Sequence, residues 1–234
     1  TLENEKVIKL WYEDPAATWN EALPVGNGRL GAMVFGGVQK ERIQFNEETL
    51  WTGVPHDYAH EGAVNYLDDI RALLREGEQD KAHELAMKEF MSVPLRQKAY
   101  QPFGDLYMDF PGHETYSEYS RELDISRAIC RTTYVVDDVR YTREVFSSHP
   151  GQVIVIKLEA DKAGRLDFSL TMSSGHVESK LSSSEGTLIL DVAVNNGVLR
   201  GTAGVHVETD GELTMKAGLI SVANAGTATL RLSA

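Results

Sequence analysis

Between Thr132 and Val145 the chain alternates twice. Thr132, Tyr134 and Val136 alternate with polar or small neighbours, Asp137-Asp138 interrupt the pattern, and Val139, Tyr141, Arg143 and Val145 alternate back. A period of two puts successive side chains on opposite faces of a strand, and a two-residue Asp-Asp break is turn chemistry. The stretch is therefore expected to be a β-hairpin with one buried face. Such a hairpin needs further strands to cover that face.

The same kind of run recurs at residues 7–12, 32–35, 42–45, 106–110, 153–158, 166–172, 188–194, 205–208 and 227–232. Between the later runs lie Asp161-Lys162-Ala163-Gly164, Ser182-Ser183-Ser184-Glu185-Gly186, Asn195-Asn196-Gly197 and Asp210-Gly211, all rich in turn-forming residues. Many short strands separated by frequent turns predict a mainly β chain, an antiparallel β-sandwich with more than ten strands. One window departs from this. Val64, Leu67, Ile70, Leu73 and Leu74, then Ala82, Leu85, Ala86 and Phe90, follow a helical period, and Gly77 divides them. An αα-hairpin inserted over residues 62–92 is expected, with Pro94 and Pro102 bracketing the return to strand. No repeat or linker marks a second domain, so residues 1–234 read as one domain carrying that insertion.

Charge and composition narrow the partners. A formal net charge of −12 argues against nucleic acid, whose phosphates need a basic face. No apolar run approaches the roughly eighteen residues a membrane span requires, so no membrane partner is expected. With 42% hydrophobic and 25% charged residues the composition is that of a globular protein. Cys130 is the single cysteine and sits in the strand-like run Ala128-Ile129-Cys130-Arg131-Thr132, where a small core residue is expected rather than a nucleophile. The opening Thr1-Leu2-Glu3-Asn4-Glu5-Lys6 is charged and carries no secretory pattern, but the chain begins without Met, and the compartment stays open.

Gly26-Asn27-Gly28-Arg29-Leu30-Gly31 matches the dinucleotide fingerprint, and Glu47-Glu48 follow at about the twenty-residue spacing of its acidic partner. The fingerprint needs a buried parallel strand before the first glycine and a helix after the third. Pro24 argues against a central strand, and Ala32-Met33-Val34-Phe35 closed by Gly36-Gly37 is too short for a helix. The glycines are expected to supply positive φ and close backbone approach in a loop entering a core strand, and no cofactor is expected.

Candidate chemistry clusters between Trp11 and Asp57. Trp19, Asn20, Glu21, Asn27, Arg29, Asn46, Glu47, Glu48 and Trp51 combine indoles, amides, carboxylates and a guanidinium. Indole faces stack on sugar C–H faces, amides and carboxylates bind hydroxyls, and paired acids perform glycoside chemistry. Spacing alone favours the other reading, in which the tryptophans anchor packing and the polar groups brace loops. Metal ligation is not expected. His56 and His60 are four apart, but Pro55 makes that segment a loop, and His83, His113, His149, His176 and His206 are scattered. Ser147-Ser148-His149 lacks a nucleophile elbow, and Asp68-Asp69 reads as a solvated helix patch.

Residues 11–55, WYEDPAATWNEALPVGNGRLGAMVFGGVQKERIQFNEETLWTGVP, closely resemble the N-terminal domain of glycoside hydrolase family 95, the α-L-fucosidase family. The similarity continues through YLDDIRALLREGEQDKAHELA, QPFGDLYMDFPGH, YSRELDISRAI and YTREVFSSHPGQVIVIKL, and weakens beyond about Leu170. Two departures are Gly53-Val54-Pro55, where relatives often carry Gly-Gly-Pro, and Asp137-Asp138, where Asp-Gly is usual. The resemblance implies a β-sandwich of the supersandwich type, followed in the parent by a helical linker, an (α/α)6 barrel and a small β domain. It also implies that the inverting machinery, a glutamate acid with asparagines and an aspartate that activate water, belongs to that barrel. No catalytic residue carries over to a position here. On this basis the chain is expected to be the accessory domain of an exo-acting glycosidase, inactive alone, with the downstream barrel as partner and the parent's oligosaccharide as substrate. Trp19, Asn20, Glu21, Asn27, Arg29, Asn46, Glu47 and Trp51 are the candidates for an interdomain surface or substrate rim. Some related proteins prefer α-galactosides to α-L-fucosides. Two other functions stay open: a free-standing carbohydrate-binding module, or a small hydrolase using Glu21 with Glu47 or Glu48, which needs two carboxyls about 5 to 9.5 Å apart.

Overall fold

A computed structural model describes residues 8–234. Among them the strands are β1 (Lys9–Tyr12), β2 (Leu23–Gly26), β3 (Leu30–Val34), β4 (Lys40–Glu47), β5 (Gly104–Asp109), β6 (Ser117–Asp124), β7 (Ile129–Val136), β8 (Val139–Ser148), β9 (Val153–Ala160), β10 (Leu166–Ser173), β11 (Glu178–Ser184), β12 (Thr187–Ala193), β13 (Arg200–Thr209), β14 (Glu212–Lys216), β15 (Leu219–Ala225) and β16 (Thr227–Ser233). They form a nine-stranded sheet, ordered β1-β6-β7-β8-β9-β16-β13-β12-β11, and a seven-stranded sheet, ordered β14-β15-β10-β5-β4-β3-β2. Neighbouring strands run antiparallel. The expected antiparallel β-sandwich is what the chain forms. The anticipated strand at 7–12 begins at Lys9; Val7, like residues 1–6, lies outside the described residues.

The β7–β8 hairpin turns at Asp137-Asp138, whose φ values of 48° and 59° are the pair of left-handed conformations that a two-residue hairpin of matching twist demands. The Ser182–Gly186 turn needs correction: residues 182–184 belong to β11, and only Glu185-Gly186 (φ 48° and 74°) reverse the chain. Strands β2, β6, β11, β14 and β15 lie outside the anticipated runs. Three of these, β2, β11 and β14, are sheet edges, and in β11 and β14 exposure on both faces removes the alternation that marks a half-buried strand. Pro24 is compatible with β2 for the same reason, since an edge strand has one unpaired side.

Inward side chains of both sheets form one continuous core, including Phe45, Leu106, Phe110, Ile154, Ile156, Leu230 and Leu232. Cys130 is part of it. Burial pushes its thiol up to about 12, so it is a neutral core residue at ordinary pH. The core also contains charge. Arg143 on β8 donates from Nη1 to the Gly37 carbonyl (2.5 Å) and from Nη2 to the Val38 carbonyl (2.6 Å) and the Tyr134 hydroxyl (2.5 Å). Its guanidinium lies 3.7 Å from the centre of the Phe110 ring and 3.5 Å from the Glu41 carboxylate. Glu41 in turn accepts the N–H groups of Gly36 (2.8 Å) and Arg42 (3.0 Å). Burial pushes the Glu41 carboxyl up, and Arg143 and these N–H groups oppose the shift. The β3–β4 turn of one sheet is thereby tied to β8 of the other.

The chain divides into two compact units, the sandwich, comprising Tyr100–Ala234 and the residues up to Thr52, and residues Gly53–Ala99. The second unit holds a 3-10 turn (Ala63–Tyr66), α1 (Leu67–Arg75) and α2 (Gln79–Glu89). Gly77, with φ 80°, ends α1: its N–H and that of Glu78 return to the carbonyls of Leu74 and Leu73.

Candidate functional site

The glycine-rich stretch is a hairpin. β2 and β3 pair antiparallel with Gly26 opposite Gly31, and β3 continues into β4 without a helix. Among the described residues no helix N-terminus faces the glycines, so the spacing lacks the geometry that holds a pyrophosphate. The expected role of the three glycines is corrected in part. Only Gly28 has positive φ (94°). A Cβ on Gly26 would crowd the Leu30 carbonyl at 3.3 Å, whereas one on Gly31 would meet only the Val25 carbonyl, at 3.9 Å.

The candidates Asn27, Arg29 and Glu47 gather at this hairpin end. Asn27 Oδ1 accepts the N–H groups of Arg29 (3.1 Å) and Leu30 (2.8 Å), and its amide donates to the Ser148 carbonyl (3.0 Å). Arg29 donates to the Gln152 side chain (2.8 Å) and to the carbonyl of Ala234 (2.5 Å), and lies 3.7 Å from Glu47. Glu47 accepts both the N–H (2.8 Å) and the hydroxyl (2.6 Å) of Thr49. These groups brace the hairpin against the β8–β9 turn and the end of β16.

Trp19, Asn20 and Glu21 form a single 3-10 turn before β2. The Glu21 carboxylate caps it by accepting the N–H groups of Ala17 (2.7 Å) and Thr18 (3.2 Å), which hold its carboxyl below the ordinary range. Arg121, buried on β6, donates to the carbonyls of Asp14 (2.7 Å) and Glu21 (2.6 Å). Asn20 is exposed. Trp19 is held in place yet 54% exposed.

Trp51 donates its indole N–H to the Glu48 carbonyl (2.9 Å) and packs on Tyr100 with ring centres 5.3 Å apart. Asn46 lines the same cleft as Tyr100, and its Oδ1 is buried without a donor. Burial raises the Tyr100 hydroxyl above its usual value; Asn46 opposes this, and Glu47 and Glu48 add to it. Trp19 and Tyr100 border a cleft of about 220 Å³ on the outer face of β2–β4, floored by Gly31, Met33, Gln44 and Asn46. Tyr100 thus links Trp51 to the cleft that Trp19 lines. Tyr100, Gln44 and Met33 are not among the residues that the sequence alone singles out. The outward positions of Gln44 and Asn46, two apart on β4, were readable from alternation, whereas the return of Tyr100 beside Trp51 after a 47-residue unit was not.

His56 and His60 lie in a loop, bonded to the carbonyls of Val93 (2.7 Å) and Met91 (3.0 Å). Among the described residues no three metal-binding side chains converge. His113 is buried against Tyr134 (3.0 Å) in the Arg143 network, and burial lowers it to about 4.

The family profile described as "Glycosyl hydrolase family 65, N-terminal domain" matches residues 10–234. "Alpha-L-fucosidase 2" of Arabidopsis thaliana is 40% identical over 170 residues, covering 71% of this chain and 20% of that protein. "Probable alpha-fucosidase A" of Aspergillus oryzae is 31% identical over 157 residues, covering 64% of this chain and 21% of that protein. The chain spans about one fifth of the length of these relatives. A solved structure titled "Putative kojibiose phosphorylase from human microbiome" aligns with 96% of this chain and 32% of its own at 11% identity, with a TM-score of 0.47.

Proposed function

The chain belongs to the glycosyl hydrolase family 65 N-terminal domain family, and from that premise we propose that it is the non-catalytic sandwich of a larger, exo-acting, inverting glycosidase, an α-L-fucosidase of the family 95 type. The family 95 assignment rests on the motif in residues 11–55 and gains support from the fucosidase names of the relatives, while the matched profile carries the family 65 name.

The observation that carries the non-catalytic reading is how the loop carboxylates are used. Glu21 is occupied in capping its own turn and Glu47 in bonding Thr49, with Arg29 beside it. A glycosidase acid needs a carboxyl raised and aimed into a cleft, opposite a second one. Glu21 is shifted the other way, and neither Glu21 nor Glu47 lines the cleft beside Trp19.

The docking surface for the rest of the polypeptide is the hairpin end. There Asn27, Arg29 and Glu47 gather, with Asn27 and Arg29 braced against the Ser148 carbonyl and Gln152. Trp51, 39% exposed on Tyr100, supplies the apolar contact there. The test compares Trp51→Ala in the full-length protein and in the 234-residue chain. A larger fall in melting temperature in the full-length protein, with turnover little changed, supports docking. Equal falls in both remove Trp51 from the interface.

A further inference from the structure

We propose that the cleft on the outer face of β2–β4 is a binding site for one neutral pyranoside ring, stacked between Trp19 and Tyr100 and hydrogen-bonded by the amides of Gln44 and Asn46. Four observations converge on it.

First, the hollow is built by the sequence. Gly26 faces Gly31 across β2 and β3, and Gly31 faces Asn46 across β3 and β4. Gly31 has ordinary φ, and a Cβ there would meet only the Val25 carbonyl, at an ordinary contact distance of 3.9 Å, so a side chain would fit without strain. Its absence keeps the floor low. Second, the walls are aromatic and exposed, 54% for Trp19 and 42% for Tyr100. Ring faces of this kind pack on the C–H face of a sugar while leaving its hydroxyls free. Trp19 is also held ready by the Arg121–Glu21 and Glu21–Ala17 bonds, which reduces the cost of ordering it on binding.

Third, the polar groups suit a neutral polyol. Among the described residues no charged side chain lines the cleft. The Gln44 amide has no hydrogen-bond partner among the described residues, and Asn46 Oδ1 is an acceptor without a donor. An amide both donates and accepts, which matches vicinal hydroxyls, and a small re-orientation of Asn46 would bring its unpaired oxygen to one of them. Fourth, size limits the ligand. A volume of about 220 Å³ lies below the ~300–1,000 Å³ of sites for drug-sized molecules, leaving room for one ring and none for a dinucleotide. The proposal rests on the glycosidase reading only for the choice of sugars to try.

The 234-residue chain is titrated by calorimetry with methyl α-L-fucopyranoside and methyl α-D-galactopyranoside, with glycerol as the control polyol. The expected result is saturable binding of at least one glycoside, with Kd about 0.1–1 mM, and none of glycerol. Gly31→Val fills the hollow and is expected to weaken binding at least about tenfold with the melting temperature retained. Gln44→Ala, which removes an amide without adding bulk, is expected to weaken binding about threefold to tenfold and serves if Gly31→Val does not fold. No saturable heat with either glycoside at about 20 mM, an equal response to glycerol, or wild-type affinity in both variants overturns the site. Such a failure leaves the domain assignment standing, because that assignment is tested by fucose release and docking.

Discussion

Arg121 on β6 donates from Nη1 to the main-chain carbonyl of Glu21 at 2.6 Å, so a side chain buried in the nine-stranded sheet holds the turn that presents Trp19. The same guanidinium binds the Asp14 carbonyl and lies 4.2 Å from the centre of the Tyr12 ring. Replacing it by Met leaves two carbonyls short of a donor. Arg121→Met is expected to cost about 2–4 kcal/mol, a fall of roughly 5–12 °C in melting temperature for a chain of this length, read by scanning calorimetry. A change below about 1 °C would show that the turn holds itself.

Arg143 is the corresponding tie between sheets. Its removal strands Glu41 as a buried charge and frees the carbonyls of Gly37 and Val38. Arg143→Met is therefore expected to cost about 3–5 kcal/mol in urea unfolding. The double variant Arg143→Met/Glu41→Gln should recover part of that loss, because the stranded charge is removed with its partner. No recovery would mean that the carbonyl contacts, and not the ion pair, carry the energy.

His113 makes stability depend on pH with a definite sign. Its folded value of about 4 lies below the unfolded value near 6.5, since burial disfavours the cation. The unfolded chain then binds more protons between those values. The neutral-His contribution is complete above about pH 6.5 and declines as pH falls towards about 4, by about 3 kcal/mol in all. His113→Gln should flatten the unfolding free energy between about pH 6.5 and 4 relative to wild type. Parallel wild-type and variant profiles across that window would contradict the assignment.

The β7–β8 turn offers a stabilising change. Asp138 sits at φ 59°, a conformation that costs a side chain more than it costs glycine. Asp138→Gly should raise stability by about 0.5 kcal/mol once the added freedom of the unfolded chain is subtracted. A loss of stability would show that the Asp138 carboxylate contributes more than the strain it imposes.

These elements also show how much of the fold is legible in the residues alone. The β7–β8 alternation placed Tyr134, Tyr141 and Val145 on one face, and Arg143 with them, but nothing local named the partners Gly37, Val38 and Glu41, which lie about a hundred positions away. Edge strands β11 and β14 escaped notice because mostly exposed strands have no reason to alternate. In the candidate site, Trp19 and Trp51 were visible as unusual aromatics. Tyr100, which joins them, comes into position only through long-range pairing. The glycines were conspicuous for the wrong feature: Gly28 supplies the expected positive φ, and Gly31 matters as a missing side chain.

On the proposed reading, this sandwich is part of a glycosidase and does not itself perform the hydrolysis. The most direct measurement is release of L-fucose from an aryl α-L-fucoside and from a fucosylated oligosaccharide, by the purified 234-residue chain and by the full-length protein. Turnover by the full-length protein and none by the chain is expected, because Glu21 and Glu47 are held in local hydrogen bonds. Turnover by the chain alone that disappears in Glu21→Gln or Glu47→Gln would contradict it.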